Sequence, residues 1–339
     1  MKDNTLDIIH NTSRQPKLSV IIPLYNKAPY IRKALESVFA QTFKDWELIV
    51  VDDGSTDNSA TICEKIIKEA SQTIHNTLYI IHQTNSGVSA ARNTGAAASH
   101  GEFVCFLDAD DWWEPTYLER MAQLIEDYPE AGLYACNYIY YKPGKTHVAL
   151  NIPTGYINYP KAYYESEAMP VWTGATMMPR EVFEEMGGFP LGIKLGEDFL
   201  LWAKTAKHYP VAFCEEPLAY YNNDVPVNLR ATRNLHHPNN HMLFRMDIAS
   251  SLSPLASNLK SDWQALLDKL RVNGLLEYWL DKRYHDLAAE ELKKVDWSKQ
   301  PDSVKRIYKT PIWILKAKRQ VMKWGSWCKQ LIIRLKVRG

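Results

Sequence analysis

Residues 101–115 read GEFVCFLDADDWWEP. An apolar run, Phe103 to Leu107, stops at three acids, Asp108, Asp110 and Asp111, and two tryptophans follow. A short apolar run bounded by polar residues reads as a buried strand. Like charges this close repel one another, so the cluster needs a reason. Either the acids cap the helix that Pro115 helps to start, or they hold a cation. The stretch alone leaves both readings open.

The same pattern recurs three times upstream. KLSVIIPLY (17–25), WELIVVDD (46–53) and TLYIIHQ (77–83) are short, apolar and β-branched, as buried strands are. Between the first two, Ile31, Leu35, Val38 and Phe39 recur at helical spacing behind Pro29. Asp57 can cap a second helix that turns Ile62, Ile66, Ile67 and Ala70 inward. GVSAARNTGAAAS (87–99) is Ala-rich and reads as a third helix. The order β-α-β-α-β-α-β predicts an α/β fold: a Rossmann-like, mostly parallel sheet with helices on both faces. Open parallel sheets bind ligands beyond the carboxyl ends of their strands. Here those ends carry Pro23-Leu24-Tyr25-Asn26, Asp52-Asp53-Gly54-Ser55 and Asp108-Ala109-Asp110-Asp111.

Downstream the pattern loosens. Residues 116–128 read as a helix, 131–141 as a strand and 142–171 as irregular. WTGATMMPREVFEEMGGFP (172–190) reads as a strand and a short helix. LGEDFLLWAKTAKHYP (195–210) is a helix with Phe199, Trp202, Ala203 and Ala206 on one face. Residues 211–221 are the last strand, and helices follow from about 240. The expected domains are an N-terminal extension (1–16), an α/β domain (17–235), a helical extension (236–300) and a basic amphipathic tail (301–339). The α/β domain divides into two halves, 17–115 and 116–235.

The 339 residues are 46% hydrophobic and 23% charged, the balance of a globular protein. A net charge of +1 gives no overall pull toward nucleic acid. Yet residues 302–339 hold eleven Lys and Arg against Asp302 alone, about +10, which leaves about 1 − 10 = −9 for the rest. Trp313, Ala317, Val321, Trp324, Cys328, Leu331 and Leu335 form one apolar face there. Such a helix suits an anionic membrane surface, or docks on its own domain or a second subunit. No stretch of about 20 apolar residues occurs, and no signal peptide is expected. The five cysteines are scattered, without metal-ligand spacing, as in a reducing cytosol. His236, His237 and His241 read as a surface cluster.

Each remaining polar group has two readings. Asp52 and Asp53 either open a turn or accept a hydrogen bond from a base or ribose. Arg92 is a surface arginine or a phosphate or base contact. Glu197 and Asp198 either favour a helix start or supply a general base. The glycine-rich phosphate-loop and dinucleotide patterns are absent from the sequence.

Taken together, LSVIIPLYNKAPYIRKALESVFAQTFKDWELIVVDDGSTDNS, NSGVSAARNTGAAASHGEFVCFLDADD and GGFPLGIKLGEDFLLW resemble the family 2 glycosyltransferases of bacterial cell-surface glycan type. The likeness spans roughly residues 17–222 and implies that 17–235 is a catalytic domain, with 17–115 its nucleotide-binding half and 116–235 its acceptor half. It implies a GT-A fold and transfer, with inversion, of a sugar from a nucleotide-diphosphate donor, a UDP-sugar, to a glycan or lipid-linked acceptor. By that resemblance Pro23, Tyr25 and Asn26 line the base pocket, and Asp53 contacts the base with Asp52 beside it. Arg92 contacts the nucleotide, Asp108 lies near the ribose with Ala109 beside it, and Asp110 ligates Mn²⁺ or Mg²⁺. Asp198 is the catalytic base, supported by Glu197, and Trp172-Thr173-Gly174 lie on the acceptor side. Asp111 has no assigned role. Many relatives carry Tyr-Arg-x-His after the last strand, where this chain reads Tyr221-Asn222-Asn223-Asp224. The implied setting is polysaccharide synthesis on the inner face of the cytoplasmic membrane, with homo-oligomerisation left open. The competing reading is a non-catalytic nucleotide-sugar or glycan-binding protein on the same fold.

Overall fold

All seven residues of Leu18–Leu24 are buried, and so are all seven of Trp46–Asp52. Strands buried on both faces need a sheet covered on both sides. The computed structural model describes residues 5–10, 16–74, 76–226, 235–245 and 257–317. It divides into two units, 1–266 and 267–339.

The first unit begins with β1 (Thr5–His10), β2 (Leu18–Leu24), α1 (Ile31–Phe39), β3 (Trp46–Asp52), α2 (Ser59–Ala70), β4 (Leu78–His82), α3 (Val88–Ala97) and β5 (Phe103–Phe106). Then come β6 (Trp112–Trp113), α4 (Tyr117–Asp127), β7 (Leu133–Lys142), β8 (Lys145–Val148), β9 (Gly155–Ile157), α5 (Tyr159–Glu165), β10 (Thr176–Pro179), α6 (Arg180–Glu185), α7 (Glu197–His208) and β11 (Val211–Asn222). One sheet takes the strands in the order β1-β4-β3-β2-β5-β10-β7-β11-β6, with β8 paired to β7 and β9 to β11. The block β4-β3-β2-β5 is parallel, and so is β7 with β11. The winding reverses between β2 and β5, and that switch point opens a crevice at the carboxyl edge.

Local chemistry explains the edge. The β2–β5 register ends at Ile21↔Phe106, two residues before Pro23. Leu24 O still accepts Asp53 N–H from the β3 side at 2.8 Å. Pro23 therefore faces the side that β5 has left, where its missing N–H breaks no ladder bond. α1 buries Ile31, Ala34, Leu35 and Val38, with Phe39 half-buried at its last turn. α3 needs small residues because it lies against the sheet: a Cβ at Gly95 would stand 2.5 Å from Ile21 Cγ2.

Three features depart from the sequence reading. β1 adds an antiparallel edge strand beside β4. The two tryptophans after the acids form β6, paired with Ala219 and Tyr220 of β11. The stretch 142–171 carries β8, β9 and α5 rather than irregular chain. Asn158 caps α5 by accepting Lys161 N–H at 3.3 Å, and Tyr159 is buried.

The long helix α8 (Ser257–Gly274) is followed by α9 (Leu276–Leu280), α10 (His285–Leu292) and α11 (Asp302–Lys309). In the second unit Leu275, Tyr278, Ala288 and Leu292 form a small core, and buried Arg271 pairs with Glu291 at 3.4 Å. Among the described residues no helix is long and apolar enough to cross a membrane. α11 buries no residue, and Ile307 and Trp313 are exposed. Val321, Trp324, Cys328, Leu331 and Leu335 of the expected apolar face lie outside the described residues.

Candidate functional site

The ends of β2, β3 and β5 lie side by side, so the loops that follow them meet. Asn26 is the one non-glycine residue with positive φ among the described residues, at 51°. Its Oδ1 accepts Thr56 N–H at 2.8 Å and Asp57 N–H at 3.2 Å, which ties the β2 loop to the β3 loop. Asparagine tolerates this left-handed backbone better than most residues. Tyr25 beside it is 45% exposed, a ring open to solvent at the edge.

Asp53 is buried with both oxygens occupied. Oδ1 accepts Gln83 Nε2 at 2.7 Å and Ser86 N–H at 2.8 Å, and Oδ2 accepts Gly87 N–H at 2.8 Å. It thus holds the 83–87 loop at the start of α3. Asp52 accepts Ser55 N–H at 3.1 Å, and its Oδ2 lies 3.3 Å from His82 Nδ1.

Arg92 projects from α3 into the interior. One terminal nitrogen donates to Asp108 Oδ1 at 2.7 Å and the other to Glu197 Oε1 at 3.1 Å. Its guanidinium stacks 5.0 Å from the Phe189 ring centre. Burial disfavours its charge, but Asp108 and Glu197 outweigh that and hold it above its ordinary value. A planar fork with two carboxylate partners suits arginine rather than lysine.

The three acids after β5 separate by environment. Asp108 meets Arg92. Ala109 is buried. Asp110 is partly open, and its Oδ2 meets Lys27 Nζ at 2.5 Å. Asp111 is 4% exposed and accepts Asn222 N–H at 2.7 Å, which fastens this loop to the end of β11. Burial, then Asp110 and Asp108, push the Asp111 carboxyl well above its ordinary range. Asp111 is therefore a buried tie and not a helix cap; α4 starts at Tyr117 behind Thr116.

Glu197 and Asp198 open α7. Burial first, then Asp198, push Glu197 up to about 7, with Arg92 opposing them. Asp198 Oδ2 accepts Thr173 Oγ1 at 3.2 Å, and Oδ1 accepts Phe199 N–H at 2.7 Å. Thr173 lies in a short turn with Trp172 and Gly174, all three buried. Trp172 packs against Tyr138 and Tyr221, at ring separations of 4.9 and 5.2 Å. Gly174 O accepts Trp113 Nε1 at 2.6 Å, so β6 and the 172–174 turn are joined.

Sequence reasoning missed two contributors. Lys27 follows the first strand end directly, a place where a cation merits notice. The segment around 238–244 is expected from the sequence to open the C-terminal helices, with no role at the site. Lys194 N–H donates to Asn240 O at 2.7 Å and Met242 N–H to Leu195 O at 3.1 Å, pinning the approach to α7. Gly196 has φ +82°, and a Cβ there would stand 2.2 Å from Met242 Sδ. His241, expected at the surface, is buried, accepts Leu243 N–H at 3.1 Å, and is pushed down to about 4 by burial and then His236. Among the described residues no three His, Cys, Asp or Glu side chains converge on one metal position.

Residues 19–187 match the model of glycosyl transferase family 2. Glycosyltransferase GlyA of Streptococcus pneumoniae is 38% identical over 202 residues, covering 56% of this chain and 28% of GlyA. EpsH of Bacillus subtilis is 40% identical over 151 residues, covering 44% of this chain and 42% of EpsH. The chain thus spans well under two thirds of these relatives. The crystal structure of S. aureus TarS 1-349 in complex with UDP-GlcNAc shares the fold, with a TM-score of 0.66 at 21% identity over 86% of this chain and 83% of that one. The fold is α/β of the GT-A kind, with a helical C-terminal region. Through residues 19–187 the chain belongs to glycosyltransferase family 2.

Proposed function

We propose that the protein is an inverting glycosyltransferase that moves a sugar from a nucleotide-diphosphate sugar, a UDP-sugar, to a hydroxyl of a glycan or lipid-linked acceptor in surface polysaccharide synthesis. The observation that carries this reading is the double ion pair of Arg92. One guanidinium joins Asp108, at the donor edge, to Glu197, the neighbour of Asp198. A donor acid and a base acid are thereby held as one constellation, as a single displacement at the anomeric carbon requires.

In this reading Tyr25 and Asn26 flank the base beyond Pro23. Asp52, with Asp53 bracing the adjoining loop, accepts from base or ribose. Asp108 and Ala109 border the ribose. Asp198 takes the proton from the attacking hydroxyl, oriented by Thr173 and the α7 start, while Trp172 and Gly174 shape the acceptor side. General-base help of this kind is worth about 10²–10⁴-fold in rate.

The donor set fits a hard divalent cation, Mn²⁺ or Mg²⁺. Asp110 offers a partly open carboxylate that already attracts a cationic group, Lys27. Magnesium is commonly held by one or two carboxylates together with substrate phosphates. Such an ion would stabilise the charge on the departing diphosphate. Asp110 would hold it, with Asp108 beside it.

The basic stretch 302–339 would bring the enzyme to an anionic membrane surface, near lipid-linked acceptors. The test is turnover and calorimetric binding against a panel of nucleotide sugars, with Mn²⁺ or Mg²⁺. Transfer from one donor is expected. Binding without turnover on any acceptor or water would favour a binding protein instead.

A further inference from the structure

The transfer reading leaves Lys27 without a task. Its backbone is fixed: Lys27 N–H donates to Ser59 Oγ at 2.7 Å, and its carbonyl accepts Tyr30 N–H at 2.9 Å and Ile31 N–H at 3.0 Å. Its side chain reaches from the β2 end to the β5 end and meets Asp110 Oδ2 at 2.5 Å. Both side chains are partly open, at 22% and 18% exposure. A fixed backbone with a flexible four-carbon stem can deliver one point charge to two places.

At this edge Arg92 meets both Asp108 and Glu197, and among the described residues Lys27 is the cation paired with Asp110. A divalent cation on Asp110 would face the Lys27 ammonium at contact range, and like charges there repel. The donor's diphosphate gains one negative charge as the sugar departs. The ammonium lies beside the carboxylate to which that diphosphate would be bridged.

We propose that Lys27 is an internal placeholder cation. It neutralises Asp110 in the empty enzyme, yields that carboxylate to the divalent ion, and moves onto the diphosphate of the bound nucleotide. Metal and nucleotide are then bound as a pair, and the metal alone is bound weakly. This proposal rests on the transferase reading above and adds a residue to it.

The experiment compares the full chain with its Lys27→Met variant. Mn²⁺ binding without nucleotide is followed by electron paramagnetic resonance, and UDP, GDP and UMP binding by calorimetry with Mn²⁺ present. Lys27→Met should bind free Mn²⁺ about tenfold more tightly, since a competing charge is gone. It should bind the preferred nucleoside diphosphate about tenfold more weakly, while UMP changes by less than about threefold. Lys27→Arg should restore diphosphate binding in part. Asp110→Asn should abolish the gain in Mn²⁺ affinity when combined with Lys27→Met. Unchanged Mn²⁺ affinity in Lys27→Met would overturn the placeholder role, and equal losses for UMP and the diphosphate would overturn the transfer onto the diphosphate. If the wild type binds no nucleoside diphosphate, the transferase reading fails and the proposal with it.

Discussion

Arg92 Nη1 donates to Glu197 Oε1 at 3.1 Å, joining residues 105 apart in sequence. The same guanidinium holds Asp108 at 2.7 Å, so a residue of α3 ties the loop after β5 to the start of α7. With its side chain 5% exposed, Arg92 is a link between acids rather than a surface group.

Breaking that link should be costly. Removing one partner of a buried pair typically destabilises by about 3–5 kcal/mol. Arg92→Ala should lower the melting temperature clearly and reduce kcat by about 100-fold or more. Arg92→Lys keeps the charge but not the fork, and should recover stability better than activity. Thermal unfolding and steady-state kinetics on the same preparations check both.

Glu197 predicts a pH limb. Its carboxyl moves from an ordinary 4.5 up to about 7, chiefly by burial and by Asp198. Because the folded value is the raised one, the folded chain binds the extra proton between those values. The associated stability is present below the unfolded value and is lost as pH rises through about 7. Activity moves the other way, because only ionised Glu197 pairs fully with Arg92. kcat/KM should climb between about pH 6 and 8, and Glu197→Gln should flatten that limb. A wild-type profile level across this range would contradict the assignment.

Asp111 gives a stability prediction of similar sign. Its carboxyl is raised well above 3.8, chiefly by burial. Its contribution is therefore fully present below the unfolded value and fades as pH rises toward the folded one. Asp111→Asn keeps an acceptor for Asn222 N–H without the charge. It should match or exceed wild-type stability at neutral pH and lose that advantage in acid. Asp111→Ala should cost about 1–3 kcal/mol, because Asn222 N–H is left without its partner. Melting temperatures followed from acid to neutral pH separate the three proteins.

The basic stretch should bind vesicles. Sedimentation with liposomes should rise with anionic lipid and fall as salt shortens the screening length to about 8 Å at physiological ionic strength. Deleting residues 310–339 should abolish it while leaving donor hydrolysis intact. Equal sedimentation of the shortened chain would remove the membrane role.

The parallel block was legible because β2, β3, β4 and β5 are short buried runs separated by amphipathic helices, a local signal. β6 was not. Two tryptophans have no periodicity, and their partners Ala219 and Tyr220 lie more than a hundred residues away. β1 was hidden for a related reason: Thr5–His10 is short and acquires its strand character from pairing with β4. The acids of the site were legible as residue types at strand and helix ends. Their partners were not. Arg92 and Asp53 carry the same residue types whether they face a ligand or the protein. Only the fold shows Arg92 spent on two acids and Asp53 on the 83–87 loop.

The most direct measurement is single-turnover transfer by Asp198→Asn, set beside calorimetric binding of the donor that the wild type prefers. The expected result is a rate about 10²–10⁴-fold lower, with donor affinity within about twofold of wild type. Wild-type turnover in Asp198→Asn would contradict the assignment of Asp198 as the base, and with it the inverting mechanism proposed for this site.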